Sequence, residues 1–180
     1  MDTEEKFGGL VMQWWNGDGA ARVYAYEGDA LLMERAQGTN SLIEMAYEGQ
    51  DDEASRIACN VIAKLHKPRS TPPPELIPLN IWFEALESAA QREDSLLLES
   101  LAVVRKLLAS PRDIVVLHGD VHHANVLDFG SRGWLAIDPK RIIGKRGYDY
   151  ANPLCNPELP TVTDPLTQIY LPISRDCASC

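Results

Sequence analysis

The sequence predicts an α+β fold in which helices dominate, and three observations carry that expectation. Two short apolar runs compatible with strands, "ARVYAYEG" and "DALLMERA", flank Glu27-Gly28-Asp29, which is the pattern of a hairpin. The stretch "GQDDEASRIACNVIAKLHKP" then sets Ile57, Val61, Ile62 and Leu65 on one helical stripe. Finally, "IVVL" leads into a polar run at 117–139, "LHGDVHHANVLDFGSRGWLAIDP", whose alternation reads as strand, loop and second hairpin. A small strand unit, a helical body and a loop-and-hairpin insert in that order make an α+β chain rather than an alternating α/β one.

The elements follow in order. "TEEKFGGLVMQWW" reads as a short amphipathic helix with acidic residues in its first turn, closed by Asn16-Gly17-Asp18-Gly19. After the hairpin comes the long helix, with "QDDE" at its start complementing the helix dipole and Pro68 stopping it. His66 falls at its C-terminal end, with a contact to the polar run at 117–139 as a lesser expectation. "RSTPPPELIPL" is a proline-rich connector, and helical stretches follow near 79–92 and 95–109. Beyond residue 139 the chain is punctuated by proline, and no internal repeat is visible. Trp14, Trp15 and the Leu/Ile stripes are core candidates.

Composition limits the chemistry. The chain has 180 residues, 45% of them hydrophobic, enough to bury a core as one domain or as one lobe of a larger one. Its net charge of −9 and pI of about 4.9, with no dense block of Lys and Arg, argue against a nucleic-acid partner. An acidic surface suits a cationic small molecule, although solubility is the commoner cause. No apolar run approaches the roughly 18 residues of a membrane span, and "MDTEEKFGG" lacks the order of a signal peptide, so the expectation is no membrane partner and a cytoplasmic location. Cys59, Cys155, Cys177 and Cys180 have no framework spacing and are expected to be reduced. Cys177 and Cys180 have zinc-type spacing but no second pair to complete a site. The sequence carries no signal for oligomeric state.

The polar run holds the chemistry, and two readings compete for it. His118, His122 and His123 invite a metallohydrolase, yet such sites draw three or four ligands from separate elements, and His66 is the only other histidine. Phosphoryl transfer asks for a carboxylate beside the attacking hydroxyl and hard oxygen ligands for Mg²⁺, held in fixed geometry. His118-Gly119-Asp120 followed by Asn125 has the spacing of a kinase catalytic loop, H-R-D-x-x-x-x-N. The second metal ligand should lie on a nearby strand. Literal Asp128-Phe129-Gly130 is a decoy in this geometry: Val126 and Leu127 run outward, 128–133 turns, and "WLAID" returns Asp138 to Asn125. Each residue alone is more often turn chemistry than catalysis. Asp120, Asn125 and Asp138 together, between a strand and a hairpin, are far more specific.

At these residues the chain resembles the aminoglycoside phosphotransferase family, and within it the streptomycin 6-kinase subgroup, also described as aminoglycoside/hydroxyurea antibiotic resistance kinases. "WWNGDGAARV", "ALLMERA", "GQDDEASRI", the run at 117–139 and "YDYANPLCNP" carry the resemblance. It implies a protein-kinase-like fold: residues 1–36 as a partial N-lobe remnant, 37–158 as a mostly helical C-lobe with catalytic loop and β-hairpin, and 159–180 as a divergent tail. It also implies ATP and Mg²⁺, with an aminoglycoside as small-molecule substrate. Asp120 would be the catalytic base, and Asn125 and Asp138 the metal ligands. Glu34 and Arg35 would lie on the hinge that meets adenine through backbone groups, and Glu5 would match the helix glutamate that pairs with the phosphate-binding lysine.

The departures set the alternatives. The strand lysine of such kinases has no counterpart ahead of Glu5, Lys6 lies within a predicted helix, and the tail is unlike the family, so truncation at both ends is expected. Lys140, Arg141, Lys145 and Arg146 follow the metal aspartate, where a cationic acceptor meets repulsion. Losing one electrostatic element of a transition-state site typically costs about 10²–10³ in rate. The expected function is therefore an aminoglycoside O-phosphotransferase, with a catalytically inactive kinase remnant as the alternative and a metallohydrolase as a lesser one.

Overall fold

The computed structural model describes residues 8–91, 95–110 and 112–157, in an α+β arrangement with three small sheets. The expected site residue Glu5 lies outside the described residues, as do Lys6 and the Cys177/Cys180 pair. Helix α1 (Gly8–Trp15) buries Gly8, Val11, Met12 and Trp15, the three-and-four spacing that puts one stripe against a core. Gly8 is needed there, because a Cβ would overlap the carbonyl oxygen of Pro139. Asn16, Gly17 and Gly19 take positive φ and end the helix, as the turn cluster predicts.

Strands β1 (Val23–Glu27) and β2 (Ala30–Met33) form the expected antiparallel hairpin about Gly28. Most of its surface is exposed, with Val23 and Met33 packing against the core. The segment before it runs alongside the later hairpin, Ala21 N–H donating to Ala136 O and Ala136 N–H to Gly19 O, both at 2.9 Å.

Helix α2 (Leu42–Tyr47), capped by Ser41 Oγ accepting from Glu44 N–H, is an element the periodicity does not predict. Helix α3 (Asp51–Leu65) matches its stripe: Ala54, Ala58, Val61, Ile62 and Leu65 are buried, three acidic residues occupy the first turn, and His66 caps the end. These side chains share one core with Val11, Met12, Trp15, Val126, Leu135 and Ala136, so α1, α3 and the second hairpin pack as a unit.

The predicted 79–92 helix is two helices, α4 (Leu79–Trp82) and α5 (Glu84–Ala90). Phe83 breaks the run. Its φ/ψ of −85°/4° leaves the helical range, and its ring meets Tyr148 edge-on at 6.0 Å beside the small core of Leu79, Leu117 and Ile142. Helix α6 (Ser95–Leu108) pairs with α5 and buries only Leu101.

A two-residue strand β3 (Ile77–Pro78), β4 (Ile114–Leu117) and β7 (Ile142–Lys145) make a three-stranded sheet with β7 in the centre, parallel to β3 and antiparallel to β4. The sequence reading misses β7, whose "IIGK" is flanked by basic residues. Strands β5 (Val126–Asp128) and β6 (Trp134–Ala136) form the predicted second hairpin, Val126 opposite Ala136. No helix among the described residues is long and apolar enough to cross a membrane.

Candidate active site

The loop between β4 and β5 carries the polar residues, and its backbone is held from below by one buried side chain. Asp149 accepts from His118 N–H at 2.9 Å, from Gly119 N–H at 2.8 Å and from His66 Nε2 at 2.8 Å, with its own surface 1% exposed. A carboxylate taking several donors in this way fixes the first two residues of the loop as firmly as a sheet ladder would. The lesser expectation for His66, a contact to the loop, is what the structure contains, through Asp149. Asp149 itself escaped notice in the sequence, although it stands in "YDYANP", a stretch already conspicuous.

His118 fixes the third residue. Its ring is fully buried and stacks on Trp15 at 6.1 Å, and burial pushes its pKa down, with Asp149 and the Ile137 carbonyl opposing the shift. The neutral ring donates from Nε2 to Ile137 O at 2.8 Å and accepts at Nδ1 from Asp120 N–H at 3.3 Å. His118 thus ties Asp120 to the residue before Asp138.

Three sequence-predicted residues meet at this corner. Asn125 Nδ2 donates to Asp120 O at 3.0 Å, and Ile137 N–H donates to Asn125 O at 3.0 Å, which brings Asp138 to the start of the hairpin as the strand logic requires. Asp120 Oδ1 accepts from Asn152 Nδ2 at 3.1 Å, and Oδ2 faces the Lys140 ammonium at 3.7 Å. Asn152 is a second residue missed in the sequence. Asp138 is exposed and adopts φ +57°, a left-handed conformation that aspartate tolerates better than most residues.

The donor set suits one kind of ion. With the Asn125 amide nitrogen turned to Asp120 O, its Oδ1 and the Asp138 carboxylate are left as hard oxygen donors that accept no hydrogen bond from the described residues. One or two such ligands, completed by phosphate oxygens, are what Mg²⁺ takes. The metallohydrolase alternative fares otherwise. Among the described residues no group of three His, Cys, Asp or Glu side chains could hold a metal. Two of the loop histidines are engaged with the loop itself, His118 as above and His122 through Nδ1 accepting from Ala124 N–H at 3.2 Å, and the third, His123, is buried.

Asp128 sits apart from this corner. Its carboxylate accepts from Asn40 Nδ2 at 2.7 Å and Gly130 N–H at 2.8 Å, and those bonds, the Gly130 amide first, hold its pKa below the usual carboxylate range. It closes the hairpin turn and pins the segment between β2 and α2.

Glu34 and Arg35 follow β2 at the start of that segment. The Glu34 carboxylate accepts from Arg22 N–H at 2.6 Å and from the Arg132 guanidinium, whose other arm donates to Gly17 O at 2.6 Å. Glu34 N–H donates to Arg22 O at 2.8 Å, and Arg35 is exposed. Beside Asp120 a cleft of about 470 Å³ opens, lined by Trp82, Lys140, Tyr148, Asn152 and Cys155 among others. Burial foremost raises the Tyr148 phenol pKa, so this hydroxyl stays protonated at the cleft wall.

Residues 1–169 match the family described as aminoglycoside/hydroxyurea antibiotic resistance kinase. This chain belongs to that family. Among curated members, a protein named streptomycin 3''-kinase from Klebsiella pneumoniae is 53% identical over 163 residues, 91% of this chain and 61% of the relative. A streptomycin 6-kinase from Streptomyces griseus is 34% identical over 162 residues, 83% of this chain and 50% of the relative. A hydroxyurea phosphotransferase from Kitasatospora aureofaciens is 29% identical over 166 residues, 86% of this chain and 48% of the relative. The family chain described here therefore spans between about half and three-fifths of the length of these relatives. No solved structure matches it.

Proposed function

We propose that this chain carries the catalytic loop of an ATP-dependent phosphotransferase with a protein-kinase-like arrangement, acting on a hydroxyl of a streptomycin-type aminoglycoside. The observation that carries the reading is the convergence of Asp120, Asn125 and Asp138 through the Asn125–Asp120 and Ile137–Asn125 hydrogen bonds. In this scheme residues up to 36 form the nucleotide side, with Glu34 and Arg35 on its hinge, and 37–158 form the acceptor and metal side. Glu5 is assigned to the phosphate-lysine partnership on the family resemblance.

Asn152 holds one oxygen of the Asp120 carboxylate, leaving the other to receive the acceptor's hydroxyl proton. The Asp149 and His118 bonds keep that carboxylate in place, since the loop positions under it are fixed before any substrate arrives. Asn125 and Asp138 are the residues that would hold Mg²⁺, which when bound with ATP supplies charge neutralisation at the transferred phosphate. The sequence resemblance is to the streptomycin 6-kinases, whose name gives one acceptor position. The 53% relative bears the name 3''-kinase, so the position is decided by mapping the product.

The test is calorimetric titration of the purified chain with Mg²⁺-ATP, with D138N as control, followed by transfer of labelled phosphate to streptomycin and NMR of the product. Binding that D138N removes, with transfer, supports the reading. A folded chain that binds no nucleotide favours the inactive-remnant reading instead, which draws on one observation: neither β1 nor β2 contains a lysine.

A further inference from the structure

Resting on the phosphotransferase reading, we propose that Lys140 is a catalytic cation, its ammonium binding the γ-phosphoryl oxygens of ATP beside Asp120. Lys140 follows the Asp138-Pro139 pair, and its backbone N–H already donates to His118 O at 2.6 Å, so the side chain is not needed to hold the strand. The base of its aliphatic stem nonetheless lies against the loop backbone. Gly119, at φ +82°, lies against it so closely that an added Cβ would stand 3.0 Å from Lys140 Cβ and 2.8 Å from Ile142 Cδ1. A long side chain held along its stem presents its head group at a defined place.

That head group is not consumed by the protein. Lys140 Nζ stands 3.7 Å from Asp120 Oδ2, beyond the about 2.7–2.9 Å of a charge-assisted hydrogen bond, and its side chain is 19% exposed in the cleft. Lys145, on the following strand, is committed elsewhere, its Nζ donating to Leu107 O at 3.0 Å. A positive charge at this point repels a cationic acceptor. Its charge matches the transferring phosphoryl group, beside Asp120 in the cleft. There it neutralises charge on the transferring group.

The step balances without further reactants. The acceptor oxygen forms a bond to the γ-phosphorus as the bond from that phosphorus to the β,γ-bridging oxygen breaks, its electron pair leaving on ADP. The hydroxyl proton passes to Asp120, and Lys140 stays an ammonium throughout.

The test compares Mg²⁺-ATP with Mg²⁺-ADP by calorimetry for wild type, K140M and K140R, each checked for folding by thermal melting. A γ-phosphate contact predicts that wild type prefers ATP, and that K140M loses about tenfold or more in ATP affinity while ADP affinity stays within about twofold. K140R should recover most of the preference. Equal affinities in wild type, equal losses for both nucleotides in K140M, or an unchanged ATP/ADP ratio would each overturn the assignment. K140Q replaces K140M under the same criterion if the latter does not fold. A wild-type chain that binds neither nucleotide overturns the phosphotransferase reading and this assignment with it, whereas ADP binding with a ratio insensitive to K140M removes Lys140 alone.

Discussion

His66 Nε2 and Asp149 Oδ2 stand 2.8 Å apart with both side chains almost wholly shielded from solvent. This contact joins the end of α3 to the segment after β7, and the same carboxylate holds the His118 and Gly119 amides. Removing Asp149 strands two amides and an imidazole in the interior. Asp149→Ala should cost about 3–5 kcal/mol in urea unfolding. His66→Ala leaves the carboxylate its two amide donors and should cost less, about 1–3 kcal/mol. The order of the two variants is the check: equal losses would mean that the amide bonds contribute little.

His123 gives the chain an acid-sensitive point. It is 2% exposed, neither ring nitrogen has a hydrogen-bond partner among the described residues, and burial, with His122 adding to it, pushes its pKa down to about 4. The unfolded residue protonates near its ordinary value of about 6.5. Below that pH the unfolded chain takes up a proton that the folded chain refuses, so stability is whole above about 6.5 and declines as pH falls toward about 4. His118, shifted the same way by burial, adds to the trend. His123→Leu should gain about 1–3 kcal/mol and flatten the decline between pH 7 and pH 5 in chemical denaturation curves. A variant as acid-sensitive as wild type would assign the effect to other groups.

A third expectation concerns the tie between the two hairpins. Arg132, in the β5–β6 turn, reaches Glu34 with one arm and Gly17 O with the other. Lysine cannot make both contacts, because its ammonium lacks the planar fork. Arg132→Ala should therefore lose about 1–3 kcal/mol, and Arg132→Lys should recover only part of it. Limited proteolysis within residues 23–33 should quicken in step with the loss. Unchanged cleavage would show that the Ala21–Ala136 backbone pairing alone holds the first hairpin in place.

What the sequence disclosed follows from which forces are local. The α3 stripe, the turn at Gly28 and the return of Asp138 to Asn125 depend on periodicity and turn chemistry, and all are present in the structure. Helix α2 is too short for a period to register, and it owes its start to the Ser41 cap. Strand β7 is recognised by its neighbours β3 and β4 rather than by its own pattern, since Lys145 is one of its four residues and Lys140, Arg141 and Arg146 flank it. The break at Phe83 is a tertiary effect of Tyr148. At the site, the kinase-type spacing exposed Asp120 and Asn125, but Asp149 and Asn152 act across about thirty residues of chain, where no spacing rule reaches.

Asp138 allows backbone and charge to be tested separately. Its φ of +57° lies in the left-handed region, which asparagine visits nearly as readily as aspartate and alanine does not. Asp138→Asn should leave stability within about 0.5 kcal/mol of wild type, whereas Asp138→Ala should lose about 1–2 kcal/mol through backbone strain alone. Both remove the anionic oxygen that the proposed Mg²⁺ site needs, so both should weaken Mg²⁺-ATP binding about tenfold or more. The informative variant is Asp138→Asn, which keeps the fold and the side-chain shape and changes the charge. If it binds Mg²⁺-ATP as tightly as wild type, Asp138 is not a metal ligand and its conformation serves only the turn into Pro139.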